Sequence, residues 1–177
     1  MWKICKNRLN QLLYRNSIRK NIYEEYIMKV RLLYTSISGN TRSFVNHLVT
    51  YATEHDDLTF EAVEISDASL DQDETAPFFA FVPTYLDGGN GIDNGVKEIM
   101  TNALADQISY GDNRQHLLGI VGSGNKNFNA QYILTARRYA VAFQAPVIAS
   151  YELRGTPRDV ETVYAAISQR LLEAGYQ

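Results

Sequence analysis

The stretch Thr35-Ser36-Ile37-Ser38-Gly39-Asn40-Thr41 gathers four hydroxyls, an amide and a glycine within seven residues. It follows the apolar run Val30-Arg31-Leu32-Leu33-Tyr34. It precedes Phe44, Val45, Leu48 and Ala52, which recur at helical spacing. A strand-to-helix turn of this kind sets unpaired backbone N–H groups and the positive end of a helix dipole beside hydroxyl donors. That chemistry suits one phosphate. No lysine or arginine precedes the helix, so a Walker-type triphosphate site is excluded. The bland alternative is a polar turn capped by Thr41.

Two later loops supply different chemistry. Pro83-Thr84-Tyr85-Leu86-Asp87-Gly88-Gly89-Asn90-Gly91 is glycine-rich, and glycine lets backbone approach a flat ligand closely. Tyr85 is placed to lie against an aromatic ring. Gly122-Ser123-Gly124-Asn125-Lys126-Asn127-Phe128-Asn129 offers backbone amides for a heterocycle edge, with Phe128 at the rim. It lacks the third glycine of a dinucleotide fingerprint. Taken singly, each of these two loops is equally readable as surface loop, the last one capping a helix through Asn129.

Catalytic side chains are missing. His47, His55 and His116 have no ligand spacing, and no Gly-x-Ser-x-Gly elbow occurs. The acidic run from Asp67 to Glu74 reads as a solvated loop. With no residue set suited to acid–base work, the chemistry belongs to a bound cofactor. A flat heterocycle on a monophosphate tail describes FMN.

The elements that must position these loops alternate. Strands are expected at Val30–Tyr34, Thr59–Ile65, Phe78–Val82, Leu117–Val121 and Val147–Tyr151. Helices are expected at Thr41–Glu54, from Asp93 through Leu104 with Val96, Ile99, Met100 and Ala103 facing inward, over Ile133–Phe143, and after Thr156-Pro157. Five strands alternating with four helices predict an α/β, doubly wound five-stranded parallel sheet of order 2-1-3-4-5. Ligands of such sheets bind beyond the carboxyl ends of the strands, where the order reverses. All three loops fall there.

The chain has 177 residues and a net charge of −3. Residues 1–27 carry net +4, which leaves −7 on residues 28–177 (eleven basic, eighteen acidic). An acidic body argues against nucleic acid as partner, and no apolar run is long enough for a membrane span. The single cysteine, Cys5, fits a reducing, cytoplasmic setting and leaves no cysteine-based metal site. Residues 1–27 read as an extension outside a single domain at 28–177. Either translation naturally begins near Met28, or the extension is a basic amphipathic arm for a partner.

Ser36-x-Ser38-Gly39-Asn40-Thr41 resembles the phosphate loop of flavodoxins. Pro83-Thr84-Tyr85 with its glycines, Gly124-Asn125-Lys126-Asn127-Phe128 and Tyr151-Glu152-Leu153-Arg154-Gly155-Thr156 together resemble the NrdI family. These are small flavodoxin-like proteins associated with class Ib ribonucleotide reductase, and the resemblance runs from about Lys29 to Leu172. It implies a flavodoxin-like FMN-binding domain. Reduced FMN and dioxygen would yield superoxide or a related oxidant. The radical-bearing manganese subunit of the reductase would use it to assemble a dimanganese–tyrosyl radical cofactor. Electrons would come from a flavin reductase or another donor, as yet unidentified.

By this resemblance Ser36, Ser38, Asn40 and Thr41, with Gly39, hold the phosphate. Tyr85, Gly88 and Gly89 line the isoalloxazine, flanked by Pro83, Thr84 and Asn90, and a glycine peptide can flip as N5 gains a proton. Asn125 and Phe128 close the other side, with Ser123, Gly124 and Asn129 beside them. Asn129 departs from the glycine usual in the family at that position, and the N-terminal extension is also unusual. Two alternatives remain open: a general flavodoxin that shuttles single electrons, and a non-redox binding module on the same fold.

Overall fold

A computed structural model describes residues 29–55, 58–87, 97–99 and 102–176. The extension at 1–27 and the loop residues Gly88, Gly89 and Asn90 lie outside them. Strands β1 (Lys29–Tyr34), β2 (Thr59–Glu64), β3 (Phe78–Pro83), β6 (Leu117–Gly124) and β7 (Val147–Glu152) form one sheet, all neighbours parallel, in the order β2-β1-β3-β6-β7. Counting sheet strands alone, that is the expected 2-1-3-4-5. Strands β4 (Tyr85–Asp87) and β5 (Lys97–Ile99) form a separate antiparallel hairpin.

The helices are α1 (Asn40–His55), α2 (Asn102–Ser109), α3 (Leu134–Phe143) and α4 (Pro157–Glu173). They cover both faces, so β3 is buried along its whole length. One core joins Val30, Leu32, Phe79, Phe81 and Val121 to Phe44, Leu48, Val163 and Ile167 of α1 and α4. The other joins Leu33, Phe78, Ala80, Val82 and Ile120 to Leu104, Ile108, Ala136 and Tyr139 of α2 and α3. Alternate strand residues feed opposite cores, as pleating requires.

Helix α4 begins as its sequence dictates. Thr156 Oγ1 accepts from Asp159 N–H, the Asp159 carboxylate accepts from Thr156 N–H, and Pro157 follows the cap. The expected helix from Asp93 is corrected. Residues 97–99 are strand, paired Tyr85↔Ile99, Leu86↔Glu98 and Asp87↔Lys97, and the helix starts only at Asn102. Tertiary contacts override the helical spacing here. The Glu98 carboxylate turns inward to accept from Thr135 Oγ1 at 2.5 Å and to pair with Arg138, while Ile99 stays exposed. Asp93, Val96 and Met100 lie outside the described residues.

The acidic loop is exposed at Asp67, Asp71 and Asp73, as expected, but its last residue is a correction. Glu74 is 3% exposed. Its carboxylate accepts from Arg31 at 2.8 Å and from Gln107 at 2.9 Å, and its N–H donates to Asn113 at 2.7 Å. Gln107 and Asn113 also bond the Gln72 carbonyl. A carboxylate buried this deeply requires such partners. Burial pushes its pKa up, against the opposing pull of Arg31 and Gln107.

Candidate functional site

The site lies at the carboxyl ends of β1, β3, β6 and β7, and the loops there are tied in a ring. Ile37 N–H donates to Tyr85 Oη at 2.9 Å, joining the hydroxyl-rich turn to the hairpin. Thr84 N–H donates to the Ser123 carbonyl at 2.8 Å, joining the hairpin to β6. Leu153 N–H donates to the Gly124 carbonyl and Lys126 N–H to Glu152, both at 3.0 Å. Arg154 Nε donates to Asn40 Oδ1 at 3.0 Å, returning to the first turn.

Within that turn the first free amides of α1 are partly used. Arg42 N–H donates to Ser36 Oγ at 3.2 Å and Ser43 N–H to the Gly39 carbonyl at 3.0 Å. Among the described residues no acceptor meets the N–H groups of Asn40 and Thr41. Gly39 has φ +79°, with open space where a Cβ would sit, so conformation, not crowding, calls for glycine there. Ser38 is exposed at the rim. Thr41 is 1% exposed, yet its Oγ1 has no hydrogen-bond partner among the described residues. A buried hydroxyl and two amides without acceptors at a helix N-terminus fit a phosphate monoester. The Arg42 guanidinium points away, paired with Glu64 at 2.5 Å. That pairing holds Glu64 below the usual carboxylate range.

The other expected residues divide. Pro83 is buried at the end of β3. Thr84 Oγ1 accepts from Thr135 N–H at 3.1 Å, so it orients α3. Tyr85 serves the first turn through its hydroxyl. Asn125 Oδ1 accepts from Asn127 N–H at 2.9 Å and opens a 3₁₀ turn, Lys126–Gln131, that carries half-buried Phe128. Gly124 packs tightly, since a Cβ there would come 3.2 Å from Ile133 N. Asn129 does not cap α3; Ile133 stands at that position, in the left-handed region. Asn129 instead sits at φ 47°, ψ −113°, a conformation glycine adopts far more readily.

Sequence reasoning missed the turn after β7 as part of the site. Arg154 supplies a guanidinium beside the phosphate turn, and the buried Tyr151 brings its hydroxyl toward Thr41 and Ser123. Desolvation pushes the Tyr151 phenol upward, opposed weakly by those two hydroxyls. The available signal was positional: this loop also leaves the carboxyl end of a sheet strand. The histidines stay apart, His47 and His55 on α1 and His116 in a 3₁₀ turn at Asn113–His116. Among the described residues no acidic, histidine or cysteine cluster could hold a metal, and no helix is long and apolar enough to cross a membrane.

A sheet reversing between β1 and β3, with a hydroxyl-rich turn at that point, defines a flavodoxin-like α/β protein. Two solved structures share the fold. A short-chain flavodoxin associated with a PDU bacterial microcompartment aligns with TM-score 0.53 at 16% identity, over 84% of this chain and 99% of its own. Oxidised flavodoxin 2 from Bacillus cereus aligns with TM-score 0.53 at 16% identity, over 80% and 99%. Residues 32–165 match the family described as NrdI flavodoxin-like, and the chain belongs to that family. An NrdI-like protein of Streptococcus pyogenes serotype M18 is 48% identical, over 79% of this chain and 93% of its own length. Protein NrdI of Bartonella henselae is 31% identical, over 75% and 89%.

Proposed function

We propose that this protein binds FMN and supports class Ib ribonucleotide reductase by delivering an oxidant to the manganese-bearing radical subunit. The observation that carries the FMN reading is the buried Thr41 hydroxyl beside the amides of Asn40 and Thr41, all three without an acceptor or partner among the described residues. Family membership supports the link to the reductase. When bound and reduced, FMN supplies electrons to dioxygen, one electron per molecule giving superoxide.

The chain's own residues bind and orient. Ser38, Gly39, Asn40 and Thr41 take the phosphate, with Ser36 fixing the start of α1. Tyr85 holds the turn against the hairpin through Ile37. The 3₁₀ turn at Lys126–Gln131, with Asn125 and Phe128, borders the flat ring. Arg154, through Asn40, sets a positive charge near the phosphate. The domain at 28–177 is cytoplasmic in this reading, and a flavin reductase or other donor supplies its electrons.

The test is reconstitution. Purified protein is titrated with FMN, reduced without oxygen, then exposed to air with the dimanganese subunit while tyrosyl radical is counted by electron paramagnetic resonance. Stoichiometric FMN binding and radical formation are expected. Failure to bind FMN overturns the flavin reading in favour of a non-redox module. Binding without radical formation, with electron transfer to other acceptors intact, favours a general flavodoxin, a reading to which the solved structures lend their fold.

A further inference from the structure

Tyr151 is 1% exposed, and its ring cannot swing. It lies flat on Phe44, with centroids 3.6 Å apart and planes 10° apart. Gly155, at φ +68°, closes over the stack: a Cβ there would come 2.5 Å from Phe44 and 3.4 Å from Tyr151. Its hydroxyl has the hydroxyls of Thr41, at the start of α1, and Ser123, its register partner on β6, as polar neighbours. These neighbours are close enough to pull the phenol pKa down, yet among the described residues neither Tyr151 Oη nor Thr41 Oγ1 reaches full hydrogen-bonding geometry with a partner.

Packing alone does not account for this hydroxyl. Phenylalanine would keep the stack on Phe44 without burying an unpaired polar atom, which costs free energy. An anion at the turn changes the balance. Once the Thr41 O–H donates outward to a phosphate oxygen, its lone pairs become better acceptors, and chained hydrogen bonds polarise one another.

We propose that Tyr151 is a positioning residue of the phosphate site: its O–H donates to Thr41 Oγ1, and Thr41 donates its own hydroxyl proton to a phosphate monoester held at the turn. The inference rests on the FMN reading above. Because burial disfavours the phenolate, Tyr151 remains a neutral donor at ordinary pH.

The experiment compares wild type, Tyr151→Phe, Thr41→Val and the double variant. FMN and riboflavin, which lacks the phosphate, are each titrated by flavin fluorescence, and flavin-free protein is melted. Tyr151→Phe is expected to weaken FMN binding roughly three- to tenfold, the scale of one net hydrogen bond. Riboflavin binding should be unchanged and the flavin-free Tm unchanged or higher. In the Thr41→Val background, Tyr151→Phe should cause no further loss. Equal losses for FMN and riboflavin would reassign Tyr151 to ring packing and overturn the proposal. Unchanged FMN affinity, as when a buried water already satisfies the hydroxyl, overturns it too, and so does full additivity with Thr41→Val. Wild type that binds no FMN overturns the flavin reading itself, and this proposal with it.

Discussion

Two buried polar systems sit at opposite ends of the sheet and are built on opposite rules. At the amino ends of β1 and β3, both Glu74 carboxylate oxygens are bonded, Asn113 and Gln107 each serve more than one partner, and the loop that precedes β3 is pinned. Among the described residues Arg31 Nε alone lacks a hydrogen bond in this network, 4.0 Å from the Glu61 carboxylate. At the carboxyl ends, Thr41, Tyr151 and Tyr132 carry buried hydroxyls with no hydrogen-bond partner among the described residues. A satisfied network is what stability asks of buried polar groups. An unsatisfied one is tolerated where a ligand completes it. The first end holds the fold together; the second is the end at which the proposed function places a ligand.

That contrast predicts separable effects. The largest belongs to Glu74→Ala, which strands a partly buried Arg31 and takes one acceptor from the Gln107 amide. It should cost about 3 kcal/mol of folding free energy, read by urea denaturation, with FMN affinity of the folded protein unchanged. A change in FMN affinity would show that the two ends are coupled. Replacing Ser38 or Thr41 by alanine should do the reverse. Each loses about 2 kcal/mol of FMN binding, the worth of a hydrogen bond to a charged group, with the melting temperature of flavin-free protein nearly unmoved. Unchanged affinity removes the phosphate role from that residue.

Asn129→Gly should stabilise the protein by about 1 kcal/mol, because it relieves a backbone conformation that disfavours a side chain, less the entropy glycine gains when unfolded. Destabilisation would mean that the Asn129 side chain does more than the structure shows. The smallest effect concerns pH. Glu64 has a folded pKa held below its ordinary value of 4.5 by Arg42. Its contribution is therefore present above about that pH and is lost as pH falls through the depressed value. Arg42→Ala should narrow the stability difference between pH 7 and pH 3.5 in thermal melts, leaving little change in shape above pH 5. An unaltered acid limb would show that the exposed pair adds nothing.

The sheet was legible because its signals are local. An apolar run such as Phe78–Val82, buried on both faces, and a cap such as Thr156-Pro157 carry their meaning within a few residues. The hydroxyl-rich strand-to-helix turn was legible for the same reason: hydroxyls, glycine and a helix start adjoin in sequence. The hairpin was not. Val96, Ile99, Met100 and Ala103 share helical spacing, but residues 97–99 pair as strand with Tyr85–Asp87 across the intervening loop, and the Glu98 side chain is fixed by Thr135 and Arg138 some forty residues away. Glu74 looked like one more acid in a solvated run, because nothing nearby announces Arg31, Gln107 and Asn113.

Sequence alone thus determined the order of the five sheet strands and the hydroxyl-rich turn that opens α1, since each follows from periodicity and adjacent donors. Tertiary structure decided which polar groups are paid in hydrogen bonds and which are left wanting. Tyr151 and Thr41 stand 110 positions apart in sequence, and only the closing of β7 beside α1 brings their hydroxyls together. Pairing of that kind depends on distance in space, which residue spacing does not encode.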